Sequence, residues 1–269
     1  MACSHSVGFA ELRKEVERAP VRVENRLMRS SFTRRFSPHG PLGIMMLENT
    51  PMPFLGCMGN PATFEYPVVY RTAPGAWANA VMAGELSLTH SVQATARQLV
   101  ADGAVALTTN CGFFARYQHA ITAAVEVPVA ASSLALLPLL THLVGGGGRI
   151  GIVTADSRLL RPELLTALGL LDDAPIAIVG IEGSPSWQEM QRPAPAVDLD
   201  QLRSDALDSI WRLQEQFWDL RCLLLECTGL GPCSAEIRER TGLPVYDAVA
   251  TADFLMASVP HGPKDASAH

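Results

Sequence analysis

Cys111 and Cys227 occupy matching places in two halves of the chain. Cys111 lies in Leu107-Thr108-Thr109-Asn110-Cys111-Gly112-Phe113 and Cys227 in Leu225-Glu226-Cys227-Thr228-Gly229-Leu230, each ending an apolar, strand-like run. Val127-Pro128-Val129 follows the first cysteine at the same interval as Leu243-Pro244-Val245 follows the second. That coincidence implies a duplicated unit. Two such units facing each other across a pseudo-twofold axis bring one thiol from each side into a shared cleft. A thiolate on one face then removes a proton beside a carbonyl or carboxylate, N–H donors hold the enolate charge, and the opposite thiol returns a proton.

A residue that follows a strand and opens a helix also offers free backbone N–H groups and the positive end of a helix dipole, which suits a carboxylate and favours thiolate. Gly112, Thr228 and Gly229 are the candidate anion donors beside the two thiols. A single cysteine ending a buried strand serves equally well as a small core residue. The matched pair is what argues for chemistry.

The elements that must position these thiols read as parallel α/β units, with short β-type runs alternating with helical stretches from Pro41 onward. Strands are expected over residues 42–47, 104–108 and 127–130 in the first half, and over 149–154, 176–181 and 222–226 in the second. Ile150-Gly151-Ile152-Val153 resembles Leu42-Gly43-Ile44-Met45, a second sign of repetition. A long helix falls within residues 77–101, with an apolar stripe through Val81, Leu88, Val92 and Leu99. Further helices are expected from Cys111 to about residue 124, up to Val144, and over 156–170. Another spans 199–219, with Leu202, Leu207, Ile210, Leu213 and Phe217 on one stripe. The helix over 234–241 ends at Gly242, a C-cap followed by Pro244. The last, over 248–258, packs back on the first half. Gly145 to Gly148 breaks the chain between halves and is not a phosphate loop, because no Gly-Lys-Ser/Thr follows. In open parallel sheets the ligand crevice lies beyond the carboxyl ends of the strands, where both cysteines sit.

Composition narrows the partners. At 269 residues, 48% hydrophobic and 18% charged, the chain is globular and long enough for two ordinary α/β domains. A formal net charge of −6 gives no general attraction for phosphate backbones or anionic lipids, so nucleic acid is excluded as a partner. The longest apolar stretch, residues 130–144, is interrupted by Ser132, Ser133, Pro138, Thr141 and His142 and is not a membrane span. Six cysteines with no Cys-x-x-Cys pair and no signal peptide point to free thiols in the cytoplasm. Seven scattered histidines make no zinc site, so no metal is expected. Residues 1–40 form an extension with a short amphipathic helix over 10–18 and no chemistry. A homo-oligomer is compatible with the sequence.

Three motifs resemble one family. Gly56-Cys57-Met58-Gly59-Asn60-Pro61-Ala62-Thr63-Phe64 looks like a glycine-rich Gly-Pro-x-Ala-Thr loop, Arg149-Ile150-Gly151-Ile152-Val153-Thr154 like a mid-chain strand and loop, and Leu225-Glu226-Cys227-Thr228 like a second-cysteine motif. Together they resemble the cofactor-independent aspartate/glutamate/hydantoin racemase superfamily, which also holds maleate isomerases and arylmalonate decarboxylases. The resemblance covers residues 41–258. It implies two pseudo-symmetric, flavodoxin-like, three-layer α/β/α domains with parallel sheets and a cleft between them. The first domain takes residues 41–148 plus 247–269 and the second 149–246. It also implies Cys111 and Cys227 as acid and base. Asn49, Asn60, Asn110, Gly112, Thr154, Thr228 and Gly229 then line the cleft and hold the substrate carboxylate, with no metal, pyridoxal or other cofactor.

The chain departs from the amino-acid racemases at the motif edges. Gly229 stands where they commonly carry Glu or His after Cys-Thr, and Asn110 precedes the first cysteine where theirs follows. Glu226 precedes the second, and continued strand alternation would turn it away from the cleft. A free aspartate substrate is disfavoured. The leading reading is therefore a two-thiol racemase or epimerase of a small chiral carboxylate, amino acid or hydantoin. A cis-trans isomerase or decarboxylase relying on one cysteine, and a non-catalytic carboxylate-binding protein, are the alternatives.

Overall fold

The chain divides into two units, Met1–Arg35 and Phe36–His269. The computed structural model describes residues 40–144, 147–171 and 173–260. The helix expected over residues 10–18 lies outside the described residues.

Two parallel sheets carry the second unit. The first has β1 (Leu42–Met46), β2 (Val68–Thr72) and β3 (Ala106–Thr109) in the order β2-β1-β3. The second has β4 (Arg149–Thr154), β5 (Ile176–Gly180), β6 (Leu220–Leu225) and β7 (Val245–Tyr246) in the order β5-β4-β6-β7. Strands β1 and β3 are buried at every position, and β4 and β6 at all but one. Parallel sheets are covered on both faces, which is why these strands read as unbroken apolar runs rather than alternating ones.

The repeat shows in the register. Gly43 pairs with Leu107 and Gly151 with Leu223. Leu107 then bridges to Val129 as Leu223 pairs with Val245. The Leu107 N–H donates to the Pro128 carbonyl at 2.9 Å and the Leu223 N–H to the Pro244 carbonyl at 2.8 Å. The shared interval between each cysteine and its proline step is thus a fourth strand position in each half. In the second half it is a short strand. In the first it shrinks to a single bridge, so the strand expected over 127–130 is not formed as such.

Several helices differ from expectation for identifiable reasons. The helix expected within 77–101 is two helices, Ala78–Ala83 and Thr89–Ala101, because Gly84 turns left-handed at φ 74 and ends the first. Its stripe of Val81, Leu88, Val92 and Leu99 is buried as expected. Each cysteine is followed by a 3₁₀ turn, Gly112–Tyr117 or Thr228–Cys233, before any α-helix begins. Over 156–170 the α-helix is confined to Pro162–Ala167, since Pro162 fits a first turn and holds Arg161 extended. Strand β2, half exposed at the sheet edge, and the helix Pro185–Met190 carried too little apolar pattern to be expected. The helices Leu199–Gln216 and Ser234–Thr241 form close to their expected ranges, the latter capped by Gly242. The last, Ala248–Ser258, packs Ala248, Ala252, Leu255 and Met256 against Leu42, Ile44 and Ala106 of the first sheet. Among the described residues no helix is long and apolar enough to cross a membrane.

Candidate functional site

Each thiol is placed by the same backbone device. The Asn110 N–H donates to the Met45 carbonyl at 3.0 Å, carrying the chain off the end of β3 beside β1. The Glu226 N–H donates to the Val153 carbonyl at 2.8 Å, doing the same off β6 beside β4. The next residue in each case is the cysteine, in extended backbone, and the 3₁₀ turn follows. Asn110 and Glu226 are therefore equivalent positions in the two halves. Their side chains are held alike: Asn110 Oδ1 accepts from the Leu47 N–H at 2.8 Å, and Glu226 Oε2 accepts from the Thr154 hydroxyl at 2.7 Å, with the Ala155 N–H as a further donor to the carboxyl.

The halves are stitched across the cleft. Thr228 Oγ1 donates to the Asn110 carbonyl, and Ser133 Oγ donates to the Leu225 carbonyl at 2.7 Å. Gly112 lies so close to Glu226 that a Cβ there would collide with both its carbonyl and its carboxyl oxygen Oε1. Only glycine allows the turn after Cys111 to approach this closely.

A cavity of about 110 Å³ opens between the two turns. Cys111, Gly112 and Phe113 line it from one side, and Glu226, Cys227, Thr228 and Gly229 from the other. Met52, Met82 and Met190 add an apolar, polarisable wall. Glu226 is the one carboxyl among the lining residues, and none of them is basic. The volume suits a small ligand. Among the described residues no cluster of His, Cys, Asp and Glu could hold a metal ion.

Of the residues expected to form the site, Cys111, Cys227, Asn49, Asn110, Gly112, Thr228 and Gly229 line this cavity, while Asn60 and Thr154 do not. Asn60 accepts from the Ala62 N–H at 2.9 Å and donates to the Pro53 carbonyl at 2.8 Å, so its amide shapes its own loop. Thr154 is fully buried and reaches the cavity only through Glu226. Asn49 spends its amide on the Ala78 N–H and the Arg192 carbonyl, tying two wall segments together. Glu226 does not turn away. Strand β6 ends at Leu225, so alternation stops one residue before it. Aligning the two halves places Glu226 opposite Asn110, the signal that could have found it. The methionines come from segments with no motif.

Burial dominates the electrostatics. It pushes the Cys111 thiol up to about 12, helped by the Glu226 charge, while the Phe113 and Phe114 N–H groups pull it down. Burial raises Cys227 well above its ordinary value too, with Glu226 and Cys111 adding to it and the Gly229 and Leu230 N–H groups opposing. Cys111 is also the more exposed thiol. Burial lifts the Glu226 carboxyl to about 7, against the Thr154 hydroxyl, the charge of Arg116 and the Ala155 N–H.

No protein-family model matches the chain. A dimethylsulfoniopropionate lyase of Durusdinium sp. clade D is 32% identical over 235 residues, covering 84% of this chain and 77% of that protein. Dimethylsulfoniopropionate lyase 6 of Emiliania huxleyi is 30% identical over 236 residues, covering 84% of this chain and 61% of that protein. Among solved structures, allantoin racemase from Klebsiella pneumoniae matches with a TM-score of 0.60 at 16% identity, over 81% of this chain and 86% of that one. Glutamate racemase from Francisella tularensis, in complex with D-glutamate, matches at 0.55 and 14% identity, over 84% and 85%. A point mutant of arylmalonate decarboxylase matches at 0.52 and 20%, over 83% and 97%. The chain shares the fold of these racemases and of the decarboxylase, with two flavodoxin-like sheets. The expected racemase or epimerase activity is corrected by these findings: the relatives that share sequence over most of the chain are lyases, and the racemases share the fold alone. At 32% identity over 84% of its length, the chain belongs to the dimethylsulfoniopropionate lyase family of enzymes.

Proposed function

We propose that the chain cleaves dimethylsulfoniopropionate by β-elimination, with a cysteine thiolate as the base. The substrate carries a carboxylate on one carbon and a dimethylsulfonium group on the next. The thiolate takes the proton beside the carboxylate, the C–H electrons form the double bond, and the C–S bond breaks with its pair leaving on dimethyl sulfide. Acrylate remains. The observation that carries this reading is the cavity with two thiols, one buried acid and, among the described residues, no basic side chain in its lining, in a chain whose relatives are lyases by name. The sulfonium end of this zwitterion enters such a site without like-charge repulsion.

Cys111 is the proposed base, being the more exposed thiol. With its Oδ1 fixed by Leu47, Asn110 offers its side-chain NH₂ to the carboxylate, joined by the N–H groups of Gly112, Thr228 and Gly229. Met52, Met190 and Phe113 supply apolar surface for the S-methyl groups. Elimination needs no second face, so Cys227 serves as an uncharged neighbour. The five free cysteines among the described residues support a reducing, cytoplasmic setting. The test is incubation of the purified protein with dimethylsulfoniopropionate, following dimethyl sulfide in the headspace and acrylate by proton NMR. Equal amounts of both products are expected. Absence of both in folded protein sinks the reading.

A further inference from the structure

Glu226 is a carboxyl buried in the wall of the cavity. It is 0% exposed, and Oε2 is satisfied by Thr154. Oε1 is buried with no hydrogen-bond partner among the described residues. An unpaired buried carboxyl oxygen is costly and calls for an explanation. Oε1 sits against Gly112, the residue after Cys111, so the side chain crosses from the second half to the thiol-bearing turn of the first. Among the described residues, the other titratable or charged groups that face it are Cys111, Cys227 and Arg116. Arg116 is itself partly desolvated, with one guanidinium nitrogen on the Leu159 carbonyl at 2.7 Å.

We propose that Glu226 is the internal proton acceptor that converts the Cys111 thiol to thiolate when a sulfonium cation occupies the cavity. This rests on the lyase reading above. In the empty site the Glu226 charge holds the thiol protonated. Entry of a cation offsets that charge and stabilises the thiolate, and the S–H proton passes to Oε1 across the cavity, breaking S–H and forming O–H with no change in net charge. The thiolate then takes the substrate α-proton as the C–S bond breaks. Glu226 releases its proton to solvent as products leave, which returns Cys111 as thiol and Glu226 as carboxylate. The overall change is substrate to acrylate, dimethyl sulfide and one proton. The carboxyl titrates close to neutrality, so it can both take and release that proton near pH 7. Glu226 is a positioning residue in this scheme, acting on substrate only through Cys111.

The opposite movement of two readouts in Glu226→Gln tests this. Iodoacetamide labelling of Cys111, mapped by mass spectrometry without substrate, should become several-fold faster, because the charge that raises the thiol is gone. Turnover of dimethylsulfoniopropionate should fall about a hundredfold in kcat with KM little changed, because the acceptor is gone. Glu226→Asp should recover part of kcat. A general loss of structure would not speed labelling while slowing turnover. Unchanged or slower labelling, or retained kcat, overturns the proposal. If the Gln variant does not fold, the wild-type labelling rate against pH decides: an inflection near the Glu226 value of about 7 supports the coupling, and a single thiol ionisation curve overturns it. Wild-type protein that releases no dimethyl sulfide defeats the lyase reading, and the labelling result then still decides whether Glu226 governs Cys111.

Discussion

The turn after β3 and the turn after β6 share a backbone and differ in what stands beneath the thiol. Both residues before the cysteines donate to the carbonyl of the neighbouring strand, and both cysteines open a 3₁₀ turn. In the first half the preceding residue is Asn110, an uncharged amide pinned by Leu47. In the second it is Glu226, a carboxyl with one oxygen left unpaired among the described residues. Duplication supplied the geometry, and one side chain made the two sides chemically unequal. A reaction that inverts a carbon requires two sides of matched power. An elimination requires one base and somewhere to put its proton.

Inequality of the thiols is the first point at which this comparison can break. Cys111→Ala should lower dimethyl sulfide release by roughly a thousandfold, within the range for loss of a general base. Cys227→Ala should cost much less, since that thiol only helps shape the pocket. Both are read as kcat/KM from headspace dimethyl sulfide. Equal and complete loss in both variants would restore symmetry between the halves and defeat the one-base assignment.

The carboxyl should also leave a mark on stability. Its native value of about 7 stands above its ordinary 4.5, so the unfolded chain ionises first and the native state is penalised as pH rises. Below 4.5 the group is protonated in both states and there is no penalty. Between 4.5 and 7 the penalty grows, and above 7 it is complete at about 3 kcal/mol. Wild type should therefore lose stability relative to Glu226→Gln on going from pH 4.5 to 8, measured by urea unfolding of both at each pH. A difference that does not change with pH would mean that Glu226 is not buried as a titrating acid.

The repeat, the parallel strands and the two thiols were legible because they rest on local pattern: buried parallel strands are written as continuous apolar runs, and the proline steps mark a fourth strand position. The orientation of Glu226 was not legible, because alternation holds only while the strand lasts and β6 stops at Leu225. Asn60 read as a site residue from its motif, yet its amide closes its own loop, a contact of two residues' reach that the motif does not reveal. The methionine wall was hidden for the opposite reason. Met52 and Met190 lie far apart in sequence, and only the fold brings their tips over Gly229. Activity was misread because two thiols facing one cleft are equally consistent with returning a proton and with keeping only one of them active.

Gly112 and Thr228 are equivalent positions after the two cysteines, and each holds the halves together in a different way. Gly112→Ala forces a methyl into the Glu226 carbonyl and carboxyl, and overpacking of this kind costs about 1–3 kcal/mol. Urea unfolding should show that loss, with Cys111 labelling altered in the folded fraction. A neutral Gly112→Ala would mean that the two turns have room to part.

Thr228 already carries a Cβ, and its contribution is the hydroxyl that donates to the Asn110 carbonyl across the cleft. Thr228→Val keeps the shape and removes the donor, leaving a partly buried carbonyl to find another partner, so a loss of about 1 kcal/mol is expected. Thr228→Ser should lose less, because the hydroxyl remains. The two variants separate the hydrogen bond from the packing, read by urea midpoints at constant slope. If Ser falls further than Val, the methyl rather than the hydroxyl holds the halves together. If Val alone falls, and its turnover falls with it, then this one bond sets the distance between the Cys227 turn and the proposed base on the other side.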